Sequence, residues 1–591
     1  MEPRQHRAIE DSRADERPRA ASRRRKRAPL TAAGKTKKKI AKKTAKKTAK
    51  PLAKKTAKPA AKSVAKKTAK PAAKKTAKPA AKKTSRAAKK TAVVATRAAR
   101  KPSAPAKKPA TIARARTKTP PPIATTDLSP PLMAANGLEG LAFRLDPHVA
   151  PLVYRLHVRV DPSQHSDYAG EVAIDLRLDH PRSELELHAA DLTVDSASVE
   201  LDGETLELDL EAKPDRETVA LQAPRELPEG ALTLRLSFRG TLRSDLRGFY
   251  AAKSGERSYA FTQLEAADAR RFFPCFDEPA KKARFRISVT TGSNNRVVSN
   301  NPIERVEQRG PNEKTVHFSE TPLLSSYLVA LAVGELSESS PVYAGPVPIR
   351  IVHVPGSEAM TQFALDTARE CLTRLADYFD LPYPYEKLDL VAVPDFEIGA
   401  MENAGAVFFR ETLLLVDEAS VSLAELKRAA EVICHELAHM WYGNLVTMRW
   451  WDDLWLNEAF ATWMAFDIVA KWRPEWKMWN DFCHARDSAL QLDALENTHA
   501  IYTSVATPSE ATQNFDLITY EKGAAVVRML ERYLGAEVFQ RGVRSYIKRH
   551  RESNTVARDL WDALSEAAGR DIDAVVKPFV EQPGFPLLRI E

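Results

Sequence analysis

The chain has 591 residues, which is too long for one ordinary domain and predicts several segments. Its net charge of +13 is unevenly divided, because residues 1–125 hold 42 basic and 5 acidic residues whereas the remainder holds 48 basic and 72 acidic residues. Four scattered cysteines exclude a dense disulfide framework, and no apolar run reaches the roughly 18 residues of a transmembrane helix. With no secretory signal at the polar N-terminus, we expect a cytoplasmic protein.

The basic segment has a repetitive composition. Residues from about 35 to 95 repeat a Lys/Ala/Thr/Pro unit of about eight residues, which resembles the tails of linker histones. Such a segment buries too little apolar surface to offset its chain entropy, so we predict a disordered tail over residues 1–119 and a proline-rich linker over 120–140. Its cations predict salt-sensitive attraction to nucleic acid or another polyanion, and a nucleoid-associated fraction of the protein. A merely solubilising tail and a membrane-surface binder are alternatives of similar weight.

Apolar residues recur with a period of two between about residues 140 and 340, as in half-buried strands. Turn signals such as Asp202-Gly203 and Pro228-Glu229-Gly230 separate the alternating segments. We therefore predict an antiparallel β domain over residues 141–340. The segments with the clearest alternation are 171–178, 183–188 and 231–238.

Residues 341–591 carry a mixed pattern that becomes mostly helical. Strand-like segments precede and follow a helical segment near residues 360–379, and later helices are predicted near 459–471 and 522–534. This pattern indicates an α+β domain that follows the β domain. The strand-like segments are 347–354 and 388–393.

A helix with chemistry-bearing residues is predicted inside this second domain. Ser422 and Glu425 form a Ser-x-x-Glu capping box at its start, and Gly443-Asn444 is its predicted end about twenty residues later. His435 and His439 are four residues apart, so their imidazoles lie one turn apart on one face of the helix.

That spacing lets both imidazoles bind one zinc ion, with Glu436 beside them as a general base. Glu458, nineteen residues after His439 and within another helical pattern, is the candidate third ligand. A His-Glu-x-x-His sequence also arises by chance on a solvated helix. Here the helix is amphipathic, and buried polar groups need partners that a metal supplies. We therefore predict a zinc hydrolase with one Zn²⁺ per chain.

Further motifs stand in order around the two histidines. They are Gln-Leu-Glu-Ala-Ala-Asp-Ala-Arg-Arg at 263–271, Phe-Pro-Cys-Phe-Asp-Glu-Pro at 273–279, Gly-Ala-Met-Glu-Asn at 399–403, Trp-Leu-Asn-Glu-Ala-Phe-Ala at 455–461 and Phe-Asp-Leu-Ile-Thr-Tyr-Glu-Lys-Gly at 515–523.

Together these motifs resemble the aminopeptidase N family of gluzincin zinc metallopeptidases over roughly residues 145–590. The resemblance implies a multidomain fold, in which a saddle-like β-sandwich domain precedes a thermolysin-like, mostly helical α+β catalytic domain over residues 341–591. It also implies peptide substrates with a free N-terminus. The metal ligands that it implies are His435, His439 and Glu458.

The resemblance also assigns roles to other residues. Glu436 and Tyr520 would be catalytic, Glu436 as the base and Tyr520 as a hydroxyl donor to the carbonyl oxygen of the substrate. Two glutamates would bind the protonated amino terminus, and the backbone around a glycine would pair with the extended peptide. The substrate-binding residues implied in this way are Glu265, Gly399, Ala400, Met401, Glu402 and Asn403.

Larger members of that family continue into a helical C-terminal domain that covers the active site, whereas this sequence stops at Glu591. From that difference we expect a more open site. Two alternative functions accompany the zinc aminopeptidase. One is a nucleic-acid-associated protein with a secondary peptidase activity, and the other is a bifunctional enzyme that resembles the leukotriene-A hydrolases. A catalytically silent scaffold is disfavoured, because every predicted zinc ligand is present.

Overall fold

The computed structural model describes residues 143–590. The tail predicted at 1–119 and the linker predicted at 120–140 lie outside the described residues. All four cysteines lie within them and are free thiols. None of the helices between residues 143 and 590 combines the length and the apolar composition that crossing a bilayer requires.

The first half of the described chain consists of strands, as the alternating pattern predicts. In chain order they are β1 (Val149–Arg159), β2 (Asp167–Leu178), β3 (Arg182–His188), β4 (Thr193–Leu201), β5 (Glu204–Glu207), β6 (Asp209–Lys213), β7 (Thr218–Leu227), β8 (Gly230–Thr241), β9 (Gly248–Ser254), β10 (Arg257–Gln263), β11 (Arg284–Gly292), β12 (Arg296–Ser299), β13 (Ile303–Gln308), β14 (Glu313–Phe318) and β15 (Leu331–Gly334).

These strands form three sheets. The largest has the order β13-β14-β11-β1-β2-β8-β4-β5, and the smaller ones have the orders β12-β15-β10-β9 and β3-β7-β6. The prediction of a purely antiparallel domain fails at one place, because β1 and β11 pair in parallel. More than a hundred residues separate these two strands along the chain, so no hairpin imposes an antiparallel direction on them.

The second half is mostly helical. Its elements are β16 (Ser337–Glu338), β17 (Val342–Ala344), β18 (Val347–His353), α1 (Gln362–Phe379), β19 (Leu388–Val393), β20 (Ala400–Met401), β21 (Ala406–Arg410), α2 (Glu411–Leu414), α3 (Leu423–Ala438), β22 (Val446–Met448), α4 (Trp455–Trp472), α5 (Met478–Asp493), α6 (Pro508–Gln513), a π-helix (Ile518–Lys522), α7 (Gly523–Leu534), α8 (Ala536–His550), β23 (Ser553–Thr555), α9 (Ala557–Ala568) and α10 (Asp573–Val580).

One sheet organises this half, with the order β16-β18-β19-β21-β20 and β17 paired to β18. The central pairs β18–β19 and β19–β21 are parallel, whereas β20 is an antiparallel edge strand. α1 and α4 both pack against α3, which carries the two histidines. The boundary between the two halves, placed at residues 340 and 341 from the sequence, stays a prediction.

The capping box predicted at the start of α3 is confirmed, because Ser422 Oγ accepts from the Glu425 N–H and the Glu425 carboxylate accepts from the Ser422 N–H. The predicted helix end at Gly443-Asn444 is wrong. α3 ends at Ala438, and His439 is its C-cap with φ −57° and ψ −24°. Beyond Ala438 the backbone turns more tightly, because the N–H groups of Met440 and Trp441 donate to carbonyl oxygens three residues back instead of four.

The two halves share a packed interface. Phe261 of β10 meets Phe408 of β21 edge to face, with ring centroids 6.0 Å apart. Lys282 Nζ donates to the carbonyl oxygen of Asn444 at 3.0 Å, and Asn300 Nδ2 donates to that of Ala404 at 2.9 Å. These contacts join β10, the segment before β11 and the segment after β12 to the helical half.

A buried ion pair lies in the segment between β10 and β11. Arg270 Nε lies 3.0 Å from Asp277 Oδ2, and both side chains are almost completely buried. We expect Arg270→Met to lower the free energy of unfolding by about 3–5 kcal/mol, because it leaves a buried carboxylate without its cation. Urea denaturation measures the change. The control is Arg235→Met, which removes an exposed pair with Glu200 and should change stability little. Equal losses in the two variants would contradict this prediction.

Candidate active site

Two helices bring the predicted metal ligands together. His435 lies in the last turn of α3, His439 caps that helix, and Glu458 lies in the first turn of α4. The two Nε2 atoms are 3.0 Å apart, and Glu458 Oε2 lies 3.3 Å from His435 Nε2 and 3.5 Å from His439 Nε2. The packing of α3 on α4 therefore closes a triangle of three potential ligand atoms.

This triangle has the dimensions of a metal site. Tetrahedral zinc bonds of about 2.0–2.1 Å place ligand atoms about 3.3 Å apart, which is close to the three separations observed. His439 Nδ1 lies 3.1 Å from the Tyr442 carbonyl oxygen. A carbonyl oxygen can only accept, so the proton of a neutral His439 lies on Nδ1 and its Nε2 lone pair is free for a metal. The residues present fit a metal ion.

The electrostatics of the triangle also favour a cation. Burial lowers the pKa of His435 to about 4, which leaves its imidazole neutral and able to ligate. For Glu458, burial is outweighed by His439 and His435, and its pKa falls to about 2. For His439, burial is outweighed by Glu402 and Glu458, and its pKa rises to about 10. Negative charge thus dominates around these imidazoles.

Three further buried glutamates lie beside the triangle, where burial and the repulsion between neighbouring carboxylates disfavour their ionised forms. Burial first, and then the neighbouring carboxylates, raise the pKa of Glu265, and burial is likewise the main cause of the raised pKa of Glu402 and Glu436. Glu265 Oε1 and Glu402 Oε1 are buried and have no hydrogen-bond partner among the described residues. Unpaired buried carboxylate oxygens are costly, so this arrangement is suited to a cationic ligand in addition to the metal.

These glutamates come from separate elements. Glu265 follows β10 of the β domain, and Glu402 follows the edge strand β20 of the catalytic sheet. Carboxylate oxygens of Glu265, Glu402 and Glu458 lie within 4.8 Å of one another. Glu402 Oε1 is 3.7 Å from His439 Nδ1, so the Glu402 carboxylate lies beside the His439 end of the metal triangle.

A cavity of about 490 Å³ contains most of the predicted site residues. Met401 and Asn403 do not line it: both side chains are buried, and Met401 Sδ lies 3.5 Å from Gln263 Nε2. Their roles in substrate binding stay predictions. The predicted residues that line the cavity are Glu265, Gly399, Ala400, Glu402, His435, Glu436, His439, Glu458 and Tyr520.

Tyr520 enters the cavity from the π-helix. Its ring stacks on the imidazole of His435, with centroids 5.9 Å apart and planes inclined by 8°. Burial, followed by the charge of Glu458, raises the pKa of Tyr520 well above its usual value. The hydroxyl therefore keeps its proton at neutral pH and can act as a hydrogen-bond donor beside the metal triangle.

Sequence analysis missed several residues of the cavity wall. Gln263 is the first residue of the motif at 263–271. Thr462 lies one helical turn after Glu458, so helical periodicity would have identified Thr462. Arg247 and Arg410 come from elements far from the histidines in sequence, and no local pattern marks them. The other missed wall residues are Ala266, Glu397, Ile398, Arg428, Glu431, Val432, Thr512, Phe515 and Glu521.

Comparison with known proteins finds two matching family models. Residues 363–579 match the family model described as the Peptidase family M1 domain, and residues 150–328 match the Peptidase M1 N-terminal domain. The chain is 41% identical over 465 residues to aminopeptidase M1-C of Oryza sativa subsp. japonica, an alignment that covers 78% of this chain and 52% of that relative.

Two other relatives show the same extent of similarity. Aminopeptidase M1 of Arabidopsis thaliana is 40% identical over 454 residues, which cover 75% of this chain and 51% of the relative. Puromycin-sensitive aminopeptidase of Caenorhabditis elegans is 38% identical over 475 residues, which cover 77% and 50%. The chain spans about half the length of these relatives. Because two successive domain models of one family match most of the described residues, the chain belongs to peptidase family M1.

Proposed function

We propose that this chain is a zinc-dependent aminopeptidase that releases single N-terminal residues from peptides. The observation that carries the proposal is one cavity that holds both a metal triangle with a neighbouring glutamate and two unpartnered carboxylates. The metal triangle alone would suit any metallopeptidase. The unpartnered carboxylates add a site for a protonated amine beside it. The aminopeptidase names of the relatives favour this function over the alternative of a bifunctional enzyme that resembles the leukotriene-A hydrolases.

Substrate binding follows from the positions of the carboxylates. Glu265 and Glu402 would receive the ammonium group of the first residue, whose positive charge compensates their buried negative charge. Ala400 belongs to an edge strand, so its free side could pair with an extended peptide backbone. With the amine held next to His439, the first peptide bond would fall beside the metal triangle.

The catalytic residues have distinct tasks. Zinc held by His435, His439 and Glu458 would polarise the substrate carbonyl and lower the pKa of water from about 15.7 towards about 7. Glu436 takes the proton from the attacking water and delivers it to the leaving amine. Tyr520 donates a hydrogen bond to the carbonyl oxygen as negative charge develops there.

Residues 1–119 lie outside the described part of the chain, so the structure does not test the expectations for this segment. Binding of nucleic acid or another polyanion by this segment and a nucleoid-associated fraction therefore stay predictions, and their basis is the strong excess of Lys and Arg before residue 125. A cytoplasmic location also stays a prediction, and its basis is the polar N-terminus without a secretory signal.

The first prediction concerns the general base. Glu436→Gln should lower kcat for aminoacyl arylamides by about 10²–10⁴-fold, because an amide cannot take up the proton of water. Bound zinc, measured by atomic emission, should stay unchanged in the variant. Glu418→Gln, an exposed glutamate before α3, is the matched control. A variant with wild-type turnover would refute the role of Glu436.

The second prediction concerns the metal. Purified protein should contain one zinc per chain, and treatment with a chelator should abolish activity and lower the unfolding temperature, because a ligand that binds only the folded state stabilises it. Added zinc should restore both. His439→Ala should bind no zinc. Full activity in protein shown to be metal-free would contradict the proposal.

The third prediction concerns the amino terminus. N-acetylation of the substrate should lower kcat/KM by at least about 30-fold, equivalent to about 2 kcal/mol, because it removes the charge that faces buried Glu265 and Glu402. Glu402→Gln should raise KM for free aminoacyl arylamides. It should also reduce the ratio of kcat/KM between free and acetylated substrates. Equal cleavage of blocked and free peptides by the wild-type protein would indicate an endopeptidase instead.

A further inference from the structure

The turn that presents Tyr520 has an unusual backbone. Residues Ile518–Lys522 form a π-helix, which then continues directly into α7. Single π-helical turns are rare and often occur at functional sites, where the wider backbone redirects a side chain. Here the wide turn projects the Tyr520 ring onto His435, so the position of its hydroxyl depends on whatever holds this turn in place.

Asp516 holds the start of the turn through its backbone and its side chain. Its Oδ1 accepts from the N–H groups of Ile518 and Thr519 at 3.0 Å and 3.1 Å, and its carbonyl oxygen accepts from the Tyr520 N–H at 3.1 Å. Three successive N–H groups of the turn, including that of Tyr520 itself, are therefore bound by one residue. Such side-chain caps satisfy donors that the helix leaves unpaired.

His499 binds the second oxygen of that carboxylate. Its Nε2 lies 2.8 Å from Asp516 Oδ2, and its Nδ1 lies 2.7 Å from the carbonyl oxygen of Ala500. Both ring nitrogens face oxygen acceptors, so both hydrogen bonds can form only when both nitrogens carry protons. The imidazolium form of His499 therefore forms an ion pair with Asp516 and restrains the carboxylate from the side opposite to the turn.

The far end of the turn is anchored independently. Lys522 Nζ lies 2.9 Å from Asp493 Oδ2, and both side chains are almost completely buried. Among the described residues, the charged groups that influence His499 are Asp516 and Lys522, of which Lys522 is neutralised by Asp493. The turn is thus held at both ends by charge pairs, and of these two pairs only the one at its start contains a histidine.

We propose that Asp516, supported by the His499 imidazolium, is a positioning residue that holds the Tyr520 hydroxyl in place for hydrogen bonding to the substrate carbonyl. This inference rests on the proposed function, in which Tyr520 stabilises the charge that develops on that oxygen. A small displacement of such a donor can strongly reduce its contribution. Asp516 itself touches no substrate, and its contribution to turnover passes through Tyr520.

A double-mutant cycle in the full-length protein tests this proposal. Tyr520→Phe should lower kcat by about 10²–10³-fold. In the wild-type background, Asp516→Ala should lower kcat at least tenfold and change KM less than twofold. In the Tyr520→Phe background, the same substitution should lower kcat less than twofold. A tenfold loss in both backgrounds would assign Asp516 a general structural role and overturn the inference. If Tyr520→Phe keeps wild-type kcat, the catalytic role proposed for Tyr520 fails instead.

Two further variants control for folding. Asp516→Asn keeps one oxygen for the N–H groups of Ile518 and Thr519 but loses the ion pair, so its kcat should fall between those of wild type and Asp516→Ala. Asp417→Ala removes a comparable contact, in which Oδ1 accepts from the Ala419 N–H at 3.1 Å on an exposed turn, and should keep wild-type kcat. Should Asp516→Ala fail to fold, the cycle is run with Asp516→Asn, and additivity there overturns the inference in the same way.

The charge of His499 gives a separate readout. The hydrogen bond to Asp516 raises the pKa of His499 above its ordinary value, so the imidazolium is present below that raised pKa and lost above it. His499→Gln can still donate to Asp516 but carries no charge at any pH. The ratio of wild-type to His499→Gln kcat should therefore exceed one at low pH and fall towards one as the pH rises through the raised pKa. A ratio that is independent of pH would show that the charge of His499 has no part in positioning Tyr520.

Discussion

The approach of α4 to α3 is the contact on which the site depends. It brings Glu458 Oε2 to 3.3 Å and 3.5 Å from the Nε2 atoms of His435 and His439, three groups that helix geometry alone could not assemble. Removing a carboxylate from water is unfavourable unless a cation or hydrogen bonds compensate for the loss. Glu458 lies in the largely buried and mostly apolar helix α4, so a cation held by the triangle would compensate for its removal from water.

The same constraint extends to the substrate. Glu265 and Glu402 add two buried carboxyl groups, and each has an oxygen without a hydrogen-bond partner in the described part of the chain. The β domain supplies one of them and the catalytic sheet supplies the other, so both halves contribute to the wall of the cavity. In the proposed reaction, the ammonium group of the substrate provides the missing partner, which would link recognition of a free N-terminus to the electrostatics of the cavity.

Local patterns predicted much of the fold. The period-two segments became strands such as β2 and β8, and the capping box at Ser422 starts α3 as predicted. Predictions failed where distant residues determine local structure. α3 ends before the turn signal at Gly443, and β1 pairs in parallel with β11, more than a hundred residues further along the chain. The residues immediately around β1 do not identify that partner.

For the site, the identity and spacing of His435, Glu436 and His439 on one helix could be read from the sequence, because both histidines project from the same face. The roles of Glu265, Glu402 and Tyr520 were implied there only by resemblance of their motifs to a known family. Tertiary structure alone decided which oxygen atoms meet which nitrogens, which carboxylates remain unpaired, and how a π-helical turn presents a tyrosine. Those features arise from contacts between segments far apart along the chain, whose distances and burial no local pattern encodes.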